Sequence, residues 1–595
     1  MRSTFSGLNT MVRGVFANQL SLDTVGHNIT NASTEGYSRQ SVNQAATRAQ
    51  EVPSLYGNVL VGSGVDAMSL QRARNIYADK QYWAETSTHE YYKAEQVNYD
   101  KLEAIFDDSD DTGIKNAVDE FYKAWSSLSK DASADSTRVT VIEKGNIFVD
   151  KMSTAASQLQ EQITAQYDDI RVHLSTINDI NDQIVELNKN IMGAEAVGAS
   201  ANDLRDQRDL LVDKLSTYMN LNVYEDDKGM YTIVSNGISM VNGINKLTLE
   251  MSDPYANADY GLNDYTIQIK ESGIAFIPQN GALKAELDTI AEDKGYIDKL
   301  ADMAAFMMTT FNTMHQQGAG IDGTDGKIDD YNNIDVYTGP TYGINFFGDN
   351  NTVYTWNSTN ECIVATEYTN DSIKRSLQYI PTTENGTTTY TPTVQITGAV
   401  NSTTNLKGIN ILNAMTINSK LTATGGTSLV AARKLSVEQK VNGTGAYEND
   451  YQVRADGTKD GTNAVNLSSL FNLASKNVST TANVYYGGTS GNYTTGTPVD
   501  MSDRAINDIS LNAYYQSVMS QLGTDAASVD TKESAQDDLI TQIVNWRSST
   551  SGVDWNEELT NMITFQKGYS ACSRCLTTMD EMLDRLINST GVVGR

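Results

Sequence analysis

The sequence predicts a multidomain α+β protein, in which elongated helical-bundle and coiled-coil domains at the termini and in the middle carry inserted β-rich outer domains. Apolar side chains recur every seven residues near both ends and in the central part of the chain, as they do in coiled coils. Residues 54–253 and 499–595 contain no proline, and long helices are permitted there because proline breaks helix interiors. Residues 320–500 are instead rich in Thr, Asn, Gly and Tyr with β-branched runs, which favours β-sheet.

The first predicted helix, over residues 5–29, has an apolar residue at every seventh position and two more between them. This spacing indicates a seam, the line of positions at which one helix of a coiled coil faces its partner. Gly7, Gly14 and Gly26 each lower helix propensity by up to about 1 kcal/mol relative to Ala, so we expect this helix to need a partner. Its predicted seam consists of Leu8, Met11, Val15, Leu22, Val25 and Ile29.

The last predicted helix begins at Asp554, an N-cap residue that is followed three positions later by Glu557. Its apolar residues are spaced alternately by three and four, and burying each one contributes roughly 1.5–3 kcal/mol. An unpaired stripe of this length would be unstable in water, so this helix also needs a partner. Its predicted seam consists of Met562, Phe565, Tyr569, Cys572, Leu576, Met579, Leu583 and Leu586.

The central part of the chain contains further helical patterns. Isoleucines recur every seven residues from Ile163 to Ile191, which predicts a long helix over about 140–192. A helix over about 202–219 carries LRDQRDLLVDKL, in which Arg205 and Asp209 can pair at i,i+4. Period-two patterning follows from about residue 221 and predicts a small β region. The charged residues of the 202–219 helix form either a solvated face or a specific contact between domains or subunits, and both interpretations stay open.

The charge balance excludes several classes of partner. The chain has 44 Lys and Arg against 74 Asp and Glu, a net charge of −30, which repels phosphate backbones and anionic lipid. No run of about 20 apolar residues occurs, and the N-terminus lacks the apolar core of a cleaved signal peptide. We therefore expect neither nucleic-acid binding nor membrane insertion.

The sequence predicts no catalytic, cofactor-binding or metal site, and hence no enzyme. Cys572 and Cys575 have CxxC spacing, but there is no second such pair, and Cys572 falls on the predicted seam. The four histidines are scattered along the chain. The acidic loop at residues 322–330 departs from the spacing of an EF-hand and lacks its terminal Glu.

The stretch GHNITNASTEGYSRQ at residues 26–40 resembles the N-terminal signature of the flagellar axial proteins, the family of rod, hook and hook-associated proteins. LRDQRDLLVDKL at 204–215, FNTMHQQGAGIDG at 311–323 with INFF at 344–347, and SGVDWNEELTNMITFQKGYSA at 551–571 are similar to segments of the hook-filament junction members of that family. The signature residues are Asn28, Asn31, Gly36, Tyr37, Arg39, Arg205, Asp206, Gln207, Arg208 and Asp209.

The resemblance implies a structural protein of the bacterial flagellum that joins hook to filament as an assembled ring. It implies extracellular localisation after type III export without a cleaved signal peptide. The partners would be other copies of the chain, hook protein, a second junction protein or flagellin, and an export chaperone. In this family the two termini pair as an inner coiled-coil domain, which is disordered in the free monomer. In this sequence Gly36 would permit the bend at its end, Tyr37 would anchor it, and Arg39 would face a neighbouring subunit or solvent.

With this resemblance, the chain divides into seven predicted segments. They are the N-terminal half of the inner coiled-coil domain (1–45), a helical middle domain (46–220), a small β region (221–282) and a helix returning to the helical domain (283–319). A β-rich outer insert of one or two domains (320–500), the C-terminal part of the helical domain (501–550) and the C-terminal half of the inner coiled-coil domain (551–595) follow. Two alternatives stay open: another axial subunit, of hook or filament, and a secreted coiled-coil adhesin that binds through its β-rich insert.

Overall fold

The computed structural model describes residues 6–54, 57–107, 112–322, 341–369, 373–441, 444, 447–474, 477–478, 483–486, 497–498, 506 and 509–589. The α-helices within these ranges are α1 (Ser6–Asn31), α2 (Ile76–Ile105), α3 (Ile114–Lys130), α4 (Asp135–Ala196), α5 (Asn202–Tyr218), α6 (Ala282–Phe306), α7 (Asn312–Gln316), α8 (Ile409–Ala414), α9 (Ser419–Thr422), α10 (Thr462–Ser469), α11 (Leu511–Ser551) and α12 (Trp555–Ser589). A π-helical turn, Met307–Phe311, joins α6 to α7.

The strands are short apart from one hairpin in the outer insert. They are β1 (Gln40–Ala46), β2 (Gln50–Ser54), β3 (Gly57–Val61), β4 (Val65–Arg72), β5 (Asn222–Glu225), β6 (Tyr231–Ser235), β7 (Ile238–Asn242), β8 (Asn245–Lys246), β9 (Leu249–Met251), β10 (Tyr255–Asn257), β11 (Leu262–Asp264), β12 (Ile267–Ile269), β13 (Thr352–Asn357), β14 (Cys362–Tyr368), β15 (Lys374–Glu384), β16 (Thr387–Thr397), β17 (Val400–Leu406), β18 (Leu435–Val441), β19 (Tyr447–Ala455), β20 (Asn483–Tyr486) and β21 (Thr497–Pro498).

Helix α4 is the axis of the helical body, because its 62 residues extend for about 93 Å at 1.5 Å per residue. The isoleucines at every seventh position from Ile163 to Ile191 are buried, as the spacing predicts. Ile163, Ile170, Ile177 and Ile184 share one hydrophobic core with side chains of α2, α3, α5, α6 and α11.

Residues 40–72 contradict the prediction of a helical domain from residue 46. β1 pairs antiparallel with β4 from Gln40–Arg72 to Ala46–Val65, and β2 pairs with β3 from Gln50–Val61 to Ser54–Gly57. The Gln, Asn and Ala side chains of β1 have low β propensity. Pairing with β4 and packing against α1 impose the extended conformation on this segment.

The small β region begins at Asn222 with the antiparallel order β5-β6-β7-β8. Its β6–β7 hairpin turns at Asn236 and Gly237, whose φ angles are +47° and +77°. Positive φ at both positions is the conformation that an Asn-Gly dipeptide favours in a two-residue hairpin. The turn that the sequence predicts here is therefore present.

The outer insert is β-rich but does not lie wholly outside the helical body. Sheets β13-β14-β17, β15-β16-β20-β21 and β18-β19 form much of it, and a second hydrophobic core includes Val394 and Val453. Phe346 and Phe471, however, contact Phe121 of α3 with ring centroids 5.7 and 5.6 Å away. The boundary at residue 320 thus separates side chains that share one core.

No helix in the described part of the chain is both long enough and apolar enough to cross a membrane.

Candidate assembly site at the paired terminal helices

Helices α1 and α12 pack antiparallel against each other. The register is set by the facing pairs Gly7 and Met579, Gly14 and Cys572, Asn18 and Gly568, and Asn28 and Glu558. Steps of 7, 4 and 10 residues along α1 match equal steps backwards along α12. The two ends of the chain therefore form one continuous antiparallel pair.

Glycines on the facing sides bring the two helices close together. A Cβ atom on Gly14 would lie 3.0 Å from Cys572 Sγ, and one on Gly568 would lie 2.5 Å from Asn18 Oδ1. The sequence predicts only a loss of helix propensity at such glycines. The structure shows that this loss is accompanied by a close approach that a larger residue would prevent.

The seam of α1 is shifted by one residue from the predicted heptad. Apart from Val25, the fully buried positions of α1 carry small or polar residues, Gly14, Ala17, Ser21, Thr24 and Asn28. Most predicted seam residues are half-buried, namely Leu8, Met11, Val15, Leu22, Ile29, Met562, Phe565, Cys572, Leu576, Met579 and Leu583. Tyr569 is exposed, and the side chain of Leu586 lies outside the described part of the chain.

Large apolar side chains on the outside of this pair are exposed in the described part of the chain. Phe16 is 66% exposed and Leu20 42% exposed on α1. Leu559 and Ile563 are similarly exposed on α12. Exposed large apolar side chains spaced by four residues on each helix form a candidate interaction surface.

Asn28 fastens the end of α1 to the turn that follows and to α12. Its Oδ1 accepts hydrogen bonds from the Tyr37 hydroxyl at 2.8 Å and the Gln40 amide at 3.0 Å. Its Nδ2 donates to the Gln40 carbonyl at 2.9 Å and to Glu558 Oε2 at 3.1 Å. The buried amide side chain thus uses both its donor and its acceptor groups.

The turn after α1 depends on glycine and tyrosine. Gly36 has a φ of +78°, and a Cβ there would lie 3.0 Å from Leu210 Cβ of α5. Tyr37 packs edge-on against His27 with ring centroids 5.5 Å apart. Burial and the nearby Asp203 raise the pKa of Tyr37, so its hydroxyl keeps the proton that it donates to Asn28. Asn31 bonds within the same turn, to the His27 carbonyl.

Arg39 contacts α12 of its own chain, which answers the question that the sequence leaves open. Its Nε donates to Glu558 Oε1 at 2.7 Å and its Nη2 to Glu557 Oε1 at 2.6 Å. The Arg39 backbone amide also donates to the Ser551 carbonyl at 2.9 Å. Arg39 therefore links the segment after α1 to the start of α12 within one chain.

Asp206 and Asp209 on α5 bind residues at both ends of the neighbouring hairpin, Ser38 before β1 and Arg72 at the end of β4. Arg72 donates to Asp206 Oδ1 at 2.7 Å and to Asp209 Oδ2 at 2.8 Å. The Ser38 amide donates to the other Asp206 oxygen at 2.9 Å. Burial opposes the ionisation of Asp209, but Arg74 and Arg72 hold its pKa below the usual value, whereas burial raises the pKa of Asp206.

The predicted pair between Arg205 and Asp209 does not form. Arg205 instead binds both carboxylate oxygens of Glu195, at 2.6 and 2.8 Å. Asp209 lies on the buried side of α5, where its Oδ1 accepts from the Tyr231 hydroxyl at 2.7 Å. Arg208 is buried over the ring of Tyr231, with 3.4 Å between guanidinium carbon and ring centroid.

Among the signature residues Arg205, Asp206, Gln207, Arg208 and Asp209, only Gln207 is exposed. The four charged residues of this signature thus contact other elements of the chain and do not form a solvated face. We refer to Asn28, Tyr37, Arg39, Arg72, Asp206, Asp209 and Glu558 as the junction network. Sequence analysis missed Arg72 and Glu558, because their partners are distant in sequence.

The cysteines of the chain differ in their exposure. Cys362 is buried and Cys575 is exposed. Within the described ranges, no three His, Cys, Asp or Glu side chains are grouped to hold a metal ion. Residues 323–330 of the acidic loop lie outside those ranges. That the chain has no catalytic, cofactor or metal site stays a prediction.

The fold and the site define a class, that of elongated structural proteins whose two ends pair and are anchored to a helical body. Residues 99–328 match the family described as flagellar hook-associated protein FlgK helical domain, and residues 547–589 match flagellar basal body rod FlgEFG protein C-terminal. The chain is 26% identical to flagellar hook-associated protein 1 of Bacillus subtilis, over 100% of both chains. It is 24% identical to the protein of that name from Escherichia coli, over 98% of this chain and 99% of the relative.

A solved structure of the flagellar hook junction protein FlgK from Burkholderia pseudomallei has the same fold. The TM-score is 0.53 at 16% identity, over 79% of this chain and 100% of that one. The chain is thus similar over its whole length to proteins named flagellar hook-associated protein 1, and its helical body matches the FlgK helical domain.

Proposed function

We propose that this protein joins the hook of a bacterial flagellum to its filament as a ring of identical subunits, so that the filament can assemble. The observation that carries this proposal is the antiparallel pair of α1 and α12 with its uncovered apolar side chains. Burying one such side chain contributes roughly 1.5–3 kcal/mol. Contact with neighbouring subunits would therefore favour assembly over the free monomer.

The finer parts of the proposal rest on the similarity to proteins named flagellar hook-associated protein 1. The subunit contacts hook protein on one side and a second junction protein or flagellin on the other, and an export chaperone binds it before assembly. It acts outside the cell, within the flagellum, and is exported without a cleaved signal peptide. Its role is structural and not enzymatic.

Gene deletion followed by complementation tests the proposal. Deletion should leave hooks without filaments, with flagellin lost to the medium, and the full chain should restore the filaments. An Ile563→Asp variant should restore few, because it places a charge in the exposed apolar stripe of α12. Gln566→Asp, at an exposed polar position of the same helix, is the matched control and should restore many. Normal filaments in the deletion strain would refute the junction role and favour an adhesin.

A further inference from the structure

The hairpin of β2 and β3 is a second apolar surface that nothing in the described chain covers. We refer to residues 50–54 and 57–61 as the β-arm. Val59 is 49% exposed and Leu60 is 68% exposed, although successive side chains of a strand point to opposite faces. Both faces of this strand therefore carry uncovered apolar side chains. A two-stranded ribbon is marginally stable by itself.

The β-arm starts near the N-terminal end of α1. Going outward along the hairpin, Gln40 contacts Asn28, Gln44 contacts Ser21, and Gly64 lies against Thr10. The pair of β1 and β4 thus runs along α1 towards its N-terminal end, and the β-arm begins beside the first turns of α1.

The uncovered side chains of α1 lie away from this point. Phe16 is six residues from Thr10, about 9 Å along the helix, and Leu20 is further still. The β-arm continues beyond Gly64, which contacts Thr10. The two uncovered apolar surfaces of one chain are therefore separate, and each lacks a cover.

Charge restricts what can cover them. The net charge of −30 makes most surfaces of two copies repel each other. Residues 14–22, which contain Phe16 and Leu20, carry no charged side chain, and neither do residues 57–65, which contain Leu60. The one charge of the β-arm is Glu51, the exposed cross-strand partner of Leu60. Contact between the two segments therefore brings no like charges together, because residues 14–22 are neutral.

We propose that the β-arm of one subunit docks on the α1 face formed by Phe16 and Leu20 of a second copy. This inference rests on the proposed function, since it describes how neighbours in the ring meet. The two contacting surfaces differ, so the contact is heterologous and can repeat from subunit to subunit until a ring closes.

Disulfide trapping in assembled flagella tests the docking. Full-length chains with L60C, F16C or both are expressed in the deletion strain, and detached hook-filament structures are oxidised with copper phenanthroline. The double variant should give a ladder of covalent multimers that reduction removes. Each single variant should give no more multimers than the unmodified chain, which has the same native cysteines. A pair of F16C with V400C, an exposed position on β17, is the matched control.

Filaments on cells with the double variant, but no multimers above the single variants, would overturn the docking and leave the junction role intact. If the double variant carries no filaments, variants with opposite charges at the two positions test the docking instead. L60E and F16K should each reduce the number of filaments at least several-fold, and L60E/F16K together should restore them. Failure of the combined variant to restore filaments would also overturn the docking.

Discussion

At the scale of single residues, Glu558 connects the two ends of the chain. It is buried on α12, accepts from Asn28 and Arg39, and lies opposite a part of the sequence 530 residues away. A carboxylate removed from water is stable only when charged or dipolar groups replace its hydration. Asn28 and Arg39 supply those groups.

Glu558→Gln should weaken the attachment of α12, because the amide keeps the shape but loses the charge that Arg39 binds. We expect the local opening free energy of residues 555–565 to fall by about 1–3 kcal/mol, measured by hydrogen exchange of the assembled protein. Glu557→Gln is the control, because Glu557 also binds Arg39 but its side chain is 56% exposed, and it should cost less than about 1 kcal/mol. Equal effects would contradict the central role of Glu558.

His315 should make the helical body sensitive to acid. Its Nδ1 donates to the Ile344 carbonyl at 2.7 Å, and its Nε2 accepts from the Ala431 amide at 3.0 Å. Burial lowers the pKa of His315 to about 4. Below pH 6.5 the unfolded chain takes up a proton that the folded chain does not, so stability present above pH 6.5 is lost as pH falls towards 4.

The loss should reach about 3 kcal/mol, at 1.36 kcal/mol per pKa unit. Hydrogen exchange of α7 and its neighbours between pH 7 and 4 measures it. His315→Gln should be less stable at pH 7 but should lose less stability between pH 6.5 and 4. An unchanged slope in this variant would contradict the assignment.

At the scale of elements, the glycines of α1 have different roles. Gly14→Leu should separate α1 from α12, since its side chain would occupy the position of Cys572, and overpacking of this kind costs about 1–3 kcal/mol. Gly26 has no neighbour within 4 Å of an added Cβ. Gly26→Ala should therefore stabilise α1 by up to about 1 kcal/mol. Hydrogen exchange of the α1 amides should move in opposite directions in the two variants.

The spacing of apolar residues in the sequence predicts an element well when a single repeating set of apolar side chains forms its buried face. Helix α4 is such a case, since its isoleucines mark the buried face over residues 163–191 and the absence of proline permits its length. Residues 40–46 are the opposite case, because their polar side chains carry no alternation and the strand depends on pairing with β4. The shifted seam of α1 has a related cause: its closest contacts use glycine and small residues, which an apolar repeat does not detect.

At the scale of the whole molecule, the class of protein is predictable from the sequence and the junction network is not. The motifs around Asn28 and Asp206 indicate a flagellar axial protein. Their contact through Ser38 depends on the fold, which brings residues from three distant segments together. The same limit explains why Phe346 and Phe471 were assigned to an outer domain although they pack in the main core.

The antiparallel pairing of α1 and α12 has a mechanical consequence. The start of α1 and the end of α12 lie at the same end of the pair, with Gly7 against Met579, so an axial pull on one of these two helix ends loads the 26 residues of α1 in shear against α12. In shear, the facing contacts along about 39 Å of helix must give way together, whereas peeling breaks them one after another. A subunit under the torque of a rotating filament would thus hold best along the direction in which its two ends overlap.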